Sequence, residues 1–152
     1  DRAAFTGWNR IRLRNLTDEA TNTDLYFADA DFDGEIVPVL FDTGSNLNFI
    51  NWQLAKMDDN IRKLERSLMR NGTLEGALET TSATIETTLL DMRLGRQHWD
   101  EVRVVATALD GLADIAPVDE PMIVAGAQLF APHTFAFDLN GFALYVRPDE
   151  TP

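Results

Sequence analysis

Ile36-Val37-Pro38-Val39-Leu40-Phe41 runs directly into Asp42-Thr43-Gly44-Ser45, and this junction decides how the rest of the chain reads. An apolar run of that length, rich in β-branched residues, describes a buried strand. The carboxylate of Asp42 then emerges where the strand turns. Gly44 permits the tight turn and lets the backbone come close to a bound molecule. Thr43 and Ser45 set hydroxyls beside the carboxylate, where they can hydrogen-bond its charged form or hold its orientation. Taken alone, the tetrapeptide is also ordinary turn chemistry, in which Asp42 only caps a turn.

Working outward from the junction, the preceding segment Leu25-Tyr26-Phe27-Ala28 reads as a strand that pairs with Ile36–Phe41 through a turn at Asp31-Phe32-Asp33-Gly34. Upstream, Ile11-Arg12-Leu13-Arg14 alternates like a half-buried strand. Beyond the loop, Leu47-Asn48-Phe49-Ile50 is a short apolar segment. Asn51 is placed to cap a helix expected over Trp52 to Arg70, where Met57, Ile61, Leu64 and Leu68 recur at helical spacing and Asn71-Gly72 supplies the stop. From Thr73 the pattern turns to β. Ile85–Leu94 and Val102–Ala106 read as strands joined at Gly95-Arg96-Gln97-His98, and Asp110–Pro121 reads as an irregular loop. Met122-Ile123-Val124-Ala125-Gly126 is a buried strand ending in Gly, followed by a short helical turn. Phe135–Leu139 and Phe142–Val146 flank Asn140-Gly141, a strong hairpin signal.

The 152 residues fit one domain able to bury a core, and no linker or repeat divides them. The apolar fraction of 45% argues for a folded chain. No apolar run approaches the ~20 residues that span a bilayer, so no membrane insertion is expected. A net charge of −12 disfavours nucleic acid and anionic lipid as partners. An acidic chain suits work at low pH, and equally a merely solvated surface. The absence of cysteine removes thiol nucleophiles, disulfides and cysteine metal sites, and leaves the redox compartment open. A first residue other than Met is expected of a processed product or a cut chain; the compartment is left undetermined, with a lean towards an exported, periplasmic or membrane-tethered soluble domain.

Taken in order, these pieces resemble a retropepsin-like aspartic protease, the single-domain, retroviral-type class, over roughly residues 24–147. The shared order is a strand pair, Phe41-Asp42-Thr43-Gly44-Ser45, a flap-like β segment, a Leu94-Gly95 hairpin, an apolar-apolar-Gly strand and a final hairpin. Val124-Ala125-Gly126 before Ala127-Gln128-Leu129-Phe130 is similar to the family's second signature, and Leu94-Gly95 with the closing hairpin looks like its bacterial members. The resemblance implies a mainly β, small closed barrel with one or two helices, in a single domain over 1–152. Residues 1–23 would form an N-terminal extension or a dimer-interface segment. Two departures stand out: the 52–72 segment is longer and more helical than the family's, and the flap, placed at Glu75–Thr84, lacks the usual aromatic or glycine-dense tip.

What the resemblance implies chemically is peptide-bond hydrolysis by two carboxylates that share a proton and activate a water between them. One Asp-Thr-Gly per chain supplies only half of that pair, so a homodimer is required, with Asp42 from each copy. Thr43 would brace the two loops, Gly44 would contact substrate backbone and Ser45 would hydrogen-bond the carboxylate. Gly126 would pack beneath the loop, and Glu79, Thr80, Thr81 and Ser82 would line the substrate as flap residues. The strand around Leu144–Val146 would serve the dimer interface. No cofactor and no metal are implied; the partners are a second copy and a peptide or protein substrate.

Other chemistry fits less well. His98 and His133 lie on different predicted hairpins or turns without metal-ligand spacing. Asp29, Asp31 and Asp33 hint at calcium but lack the closing Glu of a calcium loop. There is no Gly-x-Ser-x-Gly elbow, phosphate loop or dinucleotide fingerprint. A non-catalytic dimeric module that binds peptides or partners on the same barrel is the competing function.

Overall fold

The computed structural model describes residues 2–19, 21–57, 62, 84–109, 112 and 119–148, and nearly all of its regular structure is β. In chain order the strands are β1 (Asn9–Arg12), β2 (Arg14–Asp18), β3 (Thr23–Phe32), β4 (Glu35–Phe41) and β5 (Phe49–Ile50), followed by the short helix α1 (Trp52–Ala55). Then come β6 (Thr84–Leu94), β7 (Gln97–Thr107), β8 (Ile123–Ala125), a 3-10 turn at Ala127–Leu129, β9 (Phe135–Asp138) and β10 (Ala143–Val146).

Seven strands form one sheet in the order β2-β3-β4-β8-β5-β7-β6, and β6 pairs back onto β3 through Ala30↔Leu94 and Asp31↔Arg93. The circuit β3-β4-β8-β5-β7-β6 therefore closes on itself, with β6 joined to β3 at its Arg93–Leu94 end and β2 left as an outer strand. The expected mainly β fold with a small closed ring is what is observed. Its interior is filled by Val37, Val39, Ala28, Ala30, Leu94, Val104, Ala106 and Ile123, all buried, continuous with Leu144 and Val146 of a second sheet of order β1-β10-β9. A separate cluster of Phe27, Leu40, Met122 and Val124, with Leu25, Phe49, Leu109 and Leu112 against it, lies on β3, β4 and β8 next to the Asp42 loop.

Local chemistry explains the joints. Asp33 and Gly34 take φ of 55° and 96° between the paired residues Phe32 and Glu35, the conformation a two-residue hairpin matched to strand twist requires. Asp31 Oδ1 accepts the Gly34 N–H at 2.7 Å and locks the turn. Asn51 caps α1 as expected: its Oδ1 accepts Leu54 N–H at 3.1 Å. The same oxygen accepts Met122 N–H at 3.1 Å, and Nδ2 donates to the carbonyl of Glu120, so one buried amide ties the helix start to the entry of β8. The helix observed is Trp52–Ala55; the remainder expected to Arg70 lies, apart from Arg62, outside the described residues. So do Glu79, Thr80, Thr81 and Ser82.

Three expectations change. The alternating Ile11–Arg14 segment buries Ile11 and Leu13 as read, but breaks at Leu13, so β1 joins the small sheet and β2 joins the ring. Asn140-Gly141 lies in a hairpin, yet the pair Asp138↔Ala143 leaves a four-residue loop. Asp138 Oδ1 accepts Gly141 N–H at 2.9 Å, and Phe142 takes the left-handed φ of 49°. The aspartate's side-chain cap fixes the loop where the dipeptide alone suggested a two-residue turn. Finally, β10 is the centre of the small sheet, paired on both sides and buried at all four positions, so Leu144–Val146 offers another chain no free edge; β1 and β9 are the outer strands.

Replacing Asn51 by Ala strips the cap from α1 and leaves Met122 N–H and the Glu120 carbonyl without their partner. Such losses amount to about 2–4 kcal/mol. Urea unfolding of Asn51→Ala is expected to show a lower midpoint by that amount at an unchanged slope.

Candidate active site

Asp42 owes its position to a crossing of three strands. β8 lies between β4 and β5, parallel to β4 (Phe41↔Ala125) and antiparallel to β5 (Phe49↔Val124). Chain 42–48 must therefore arch over the end of β8 to travel from β4 to β5. Asp42 N–H donates to Ala125 carbonyl at 2.8 Å, Ala127 N–H to Ser45 carbonyl at 2.8 Å and Gln128 N–H to Asn46 carbonyl at 3.2 Å. These bonds staple the arch to the strand beneath it.

Gly126 passes under the arch. Its φ of −96° is open to any residue, so the requirement is space: a Cβ there would fall on the Leu47 carbonyl oxygen and 2.6 Å from that of Ser45. Its N–H donates to Asn48 Oδ1 at 2.9 Å. Asn48 Nδ2 donates to the Arg103 carbonyl at 3.1 Å, and Asn48 carbonyl accepts Val105 N–H at 2.9 Å. Asn48, 2% exposed, thus fastens the arch to β7 and β8 together. The sequence reading did not single it out; its signal is an amide inside an apolar segment, since a buried amide requires partners.

Within the arch, Asp42, Thr43 and Gly44 are exposed and Ser45 is half-buried. Asp42 Oδ1 accepts Gly44 N–H at 3.2 Å, and a Cβ on Gly44 would lie 3.3 Å from that oxygen. The absence of a side chain at 44 therefore keeps one face of the carboxyl open. Ser45 departs from its expected partner: its Oγ donates to the Leu47 carbonyl at 3.0 Å, within the arch, and not to the Asp42 carboxylate. The loop turns Ser45 inward while Asp42 faces out.

A cleft of about 450 Å³ opens at Asp42 and Thr43. Leu25 and Tyr26 of β3, Leu40 and Phe41 of β4, Leu112, Phe137 and Leu139 line it with apolar surface, and Thr23 and Asp24 form its polar part. Phe41 and Phe137 meet edge-on at 5.8 Å between centroids, so the two sheets share this wall. The β3 and β9 contributors were not anticipated, because their closeness to Asp42 comes from strand pairing and sheet packing and not from sequence spacing.

The other candidates lie elsewhere. Asp29 binds Arg14 at 2.7 Å and Asp31 serves its turn. His133 packs edge-on against Trp99, 5.7 Å between centroids. His98 sits on the β6–β7 hairpin with Nε2 3.2 Å from Asp91 and Nδ1 3.3 Å from Asp100. These three offer ligand atoms within 4.8 Å of one another, but both imidazole nitrogens already face carboxylates. Among the described residues no helix is long and apolar enough to cross a membrane.

No family model and no curated protein matches this sequence. Solved structures similar to it include a retropepsin-like aspartic protease from Rickettsia conorii, with a TM-score of 0.49 at 13% identity over 92% of this chain and 90% of that one. Another is the retroviral protease-like domain of Ddi1 from Leishmania major, with a TM-score of 0.44 at 15% identity over 79% of this chain and 90% of that one.

Gly126→Ala forces apart the backbone beneath Asp42, which has no flexible side chain to yield. A loss of about 3 kcal/mol in unfolding free energy is expected, at the upper end for overpacking. Thermal unfolding checks it, with Ala125→Gly as a milder comparison at the adjacent position.

Proposed function

We propose that this chain is an aspartic endopeptidase whose active site is completed by a second copy. The observation that carries the reading is an exposed carboxylate, Asp42, held on a backbone arch stapled at both ends and opening onto an apolar cleft. Apolar walls with a few convergent polar groups suit a bound peptide. A single carboxylate does not suffice for hydrolysis by this chemistry. Two Asp42 side chains across a two-fold axis, holding one proton between them, do: one accepts a proton from the attacking water while the protonated partner donates to the scissile carbonyl.

On this reading Thr43 braces the paired arches and Gly44 presents backbone to the substrate. Ser45 and Gly126 act through the arch and do not touch the reacting atoms. Glu79 to Ser82 remain flap residues by proposal, and the bacterial-type assignment, from Leu94-Gly95 and the closing hairpin, belongs to the same proposal. The outer strands β1 and β9 supply edges at which a second copy can add.

A peptide library incubated at several pH values, with and without pepstatin, tests this. The wild type is expected to cleave, to be inhibited, and to give a bell-shaped profile with an acidic optimum, because the pair works only while it holds one proton. Asp42→Asn is expected to fold and to lose cleavage, since an amide cannot exchange that proton. Sedimentation should show a dimer wherever activity is full. Cleavage by Asp42→Asn, or full activity in a monomer, contradicts the proposal. A verified dimer that cleaves nothing between about pH 3 and pH 7 indicates a binding module.

A further inference from the structure

The cleft at Asp42 holds a second carboxylate. Asp24, near the start of β3, lines the same cavity and is exposed. Thr17 Oγ1, directly across the β2–β3 pair, donates to Asp24 Oδ1 at 2.7 Å and sets the orientation of the carboxyl group. Among the described residues no cation pairs with it. Five positions along the same strand, Asp29 is neutralised by Arg14 at 2.7 Å. Asp24 is thus a positioned, uncompensated charge at the end of an apolar wall made by Leu25, Tyr26, Phe41 and Phe137.

We propose that Asp24 is a specificity-determining residue that selects peptides carrying Lys or Arg close to a bulky apolar side chain. The inference rests on reading this cleft as the peptide site. Continuing the register of Phe27↔Leu40 outward sets Leu25 level with Asp42 and Asp24 level with Thr43. An extended peptide advances about 3.3 Å per residue, so the cationic residue falls within about two positions of the scissile bond. An arriving ammonium or guanidinium gains a charge-assisted bond without displacing an existing ion pair. A peptide glutamate at the same place meets the negative charge of Asp24 next to that of Asp42.

Binding by the non-hydrolysing Asp42→Asn protein separates this inference from catalysis. The probes are two fluorescent apolar peptides that differ only in one Lys or Glu, measured by anisotropy. The Lys peptide is expected to bind about three- to tenfold tighter at low salt, with the margin shrinking at high salt. Adding Asp24→Asn is expected to erase the margin and Asp24→Lys to reverse it. Glu101→Gln, a carboxylate change on β7, is expected to preserve it, which separates the effect from the chain's overall charge. A margin that survives Asp24→Asn, or no binding of either peptide, overturns the inference. The expected margins in a dimer whose wild type hydrolyses nothing would support the role of Asp24 and count against the endopeptidase reading alone.

Discussion

Gly126 passing beneath the 42–48 arch is the contact on which the rest of the site depends. β8 runs between β4 and β5, so the chain has to cross over it, and the crossing has room for backbone only. Backbone groups at the crossing hold it together: Asp42, Ala127 and Gln128 N–H groups find carbonyls across the arch, and Gly126 N–H finds Asn48. The fastening is mostly backbone; the Asp42 carboxylate takes the Gly44 N–H at 3.2 Å and is otherwise exposed. That leaves the carboxylate free to act on something else, as a preorganised functional group requires.

The closed ring that carries the arch holds a single Asp-Thr-Gly motif. Six of the strands close a circuit, and the chain has no second such motif to place opposite Asp42. On the proposed reading, completion comes from a second copy of the chain. Outer strands remain at β1 and β9 of the small sheet and at β2 of the large one, and the small sheet shares the Phe41–Phe137 wall with the cleft. On that reading, assembly and substrate binding are adjacent. The cleft itself is asymmetric in chemistry, apolar along β3, β4 and β9 and anionic at Asp24 and Asp42.

Much of this was legible in the residues wherever one local rule decided the outcome. The buried run before Asp42, the Asp33-Gly34 turn, the Asn51 cap and the glycine ending β8 all follow from periodicity, turn chemistry or capping. The misses arose where a side chain or a distant strand overrode the local signal. Asp138 captures the Gly141 amide and moves the left-handed residue to Phe142, so an Asn-Gly pair sits in a wider loop. Asn48 read as part of a short apolar segment, and its three hydrogen bonds exist only once β7 and β8 surround it. The burial of β10 between β1 and β9 joins residues 9–12 to 143–146, a pairing that no short-range pattern encodes.

The central claim, an active site shared between two copies of Asp42, is tested most directly by subunit mixing. Wild-type chain is titrated with Asp42→Asn chain at constant total protein, allowed to exchange, and assayed for peptide cleavage. If each site needs both carboxylates, activity falls with the square of the wild-type fraction, because mixed dimers are inactive. A fall in direct proportion to that fraction would mean that each chain works alone, and would contradict the account.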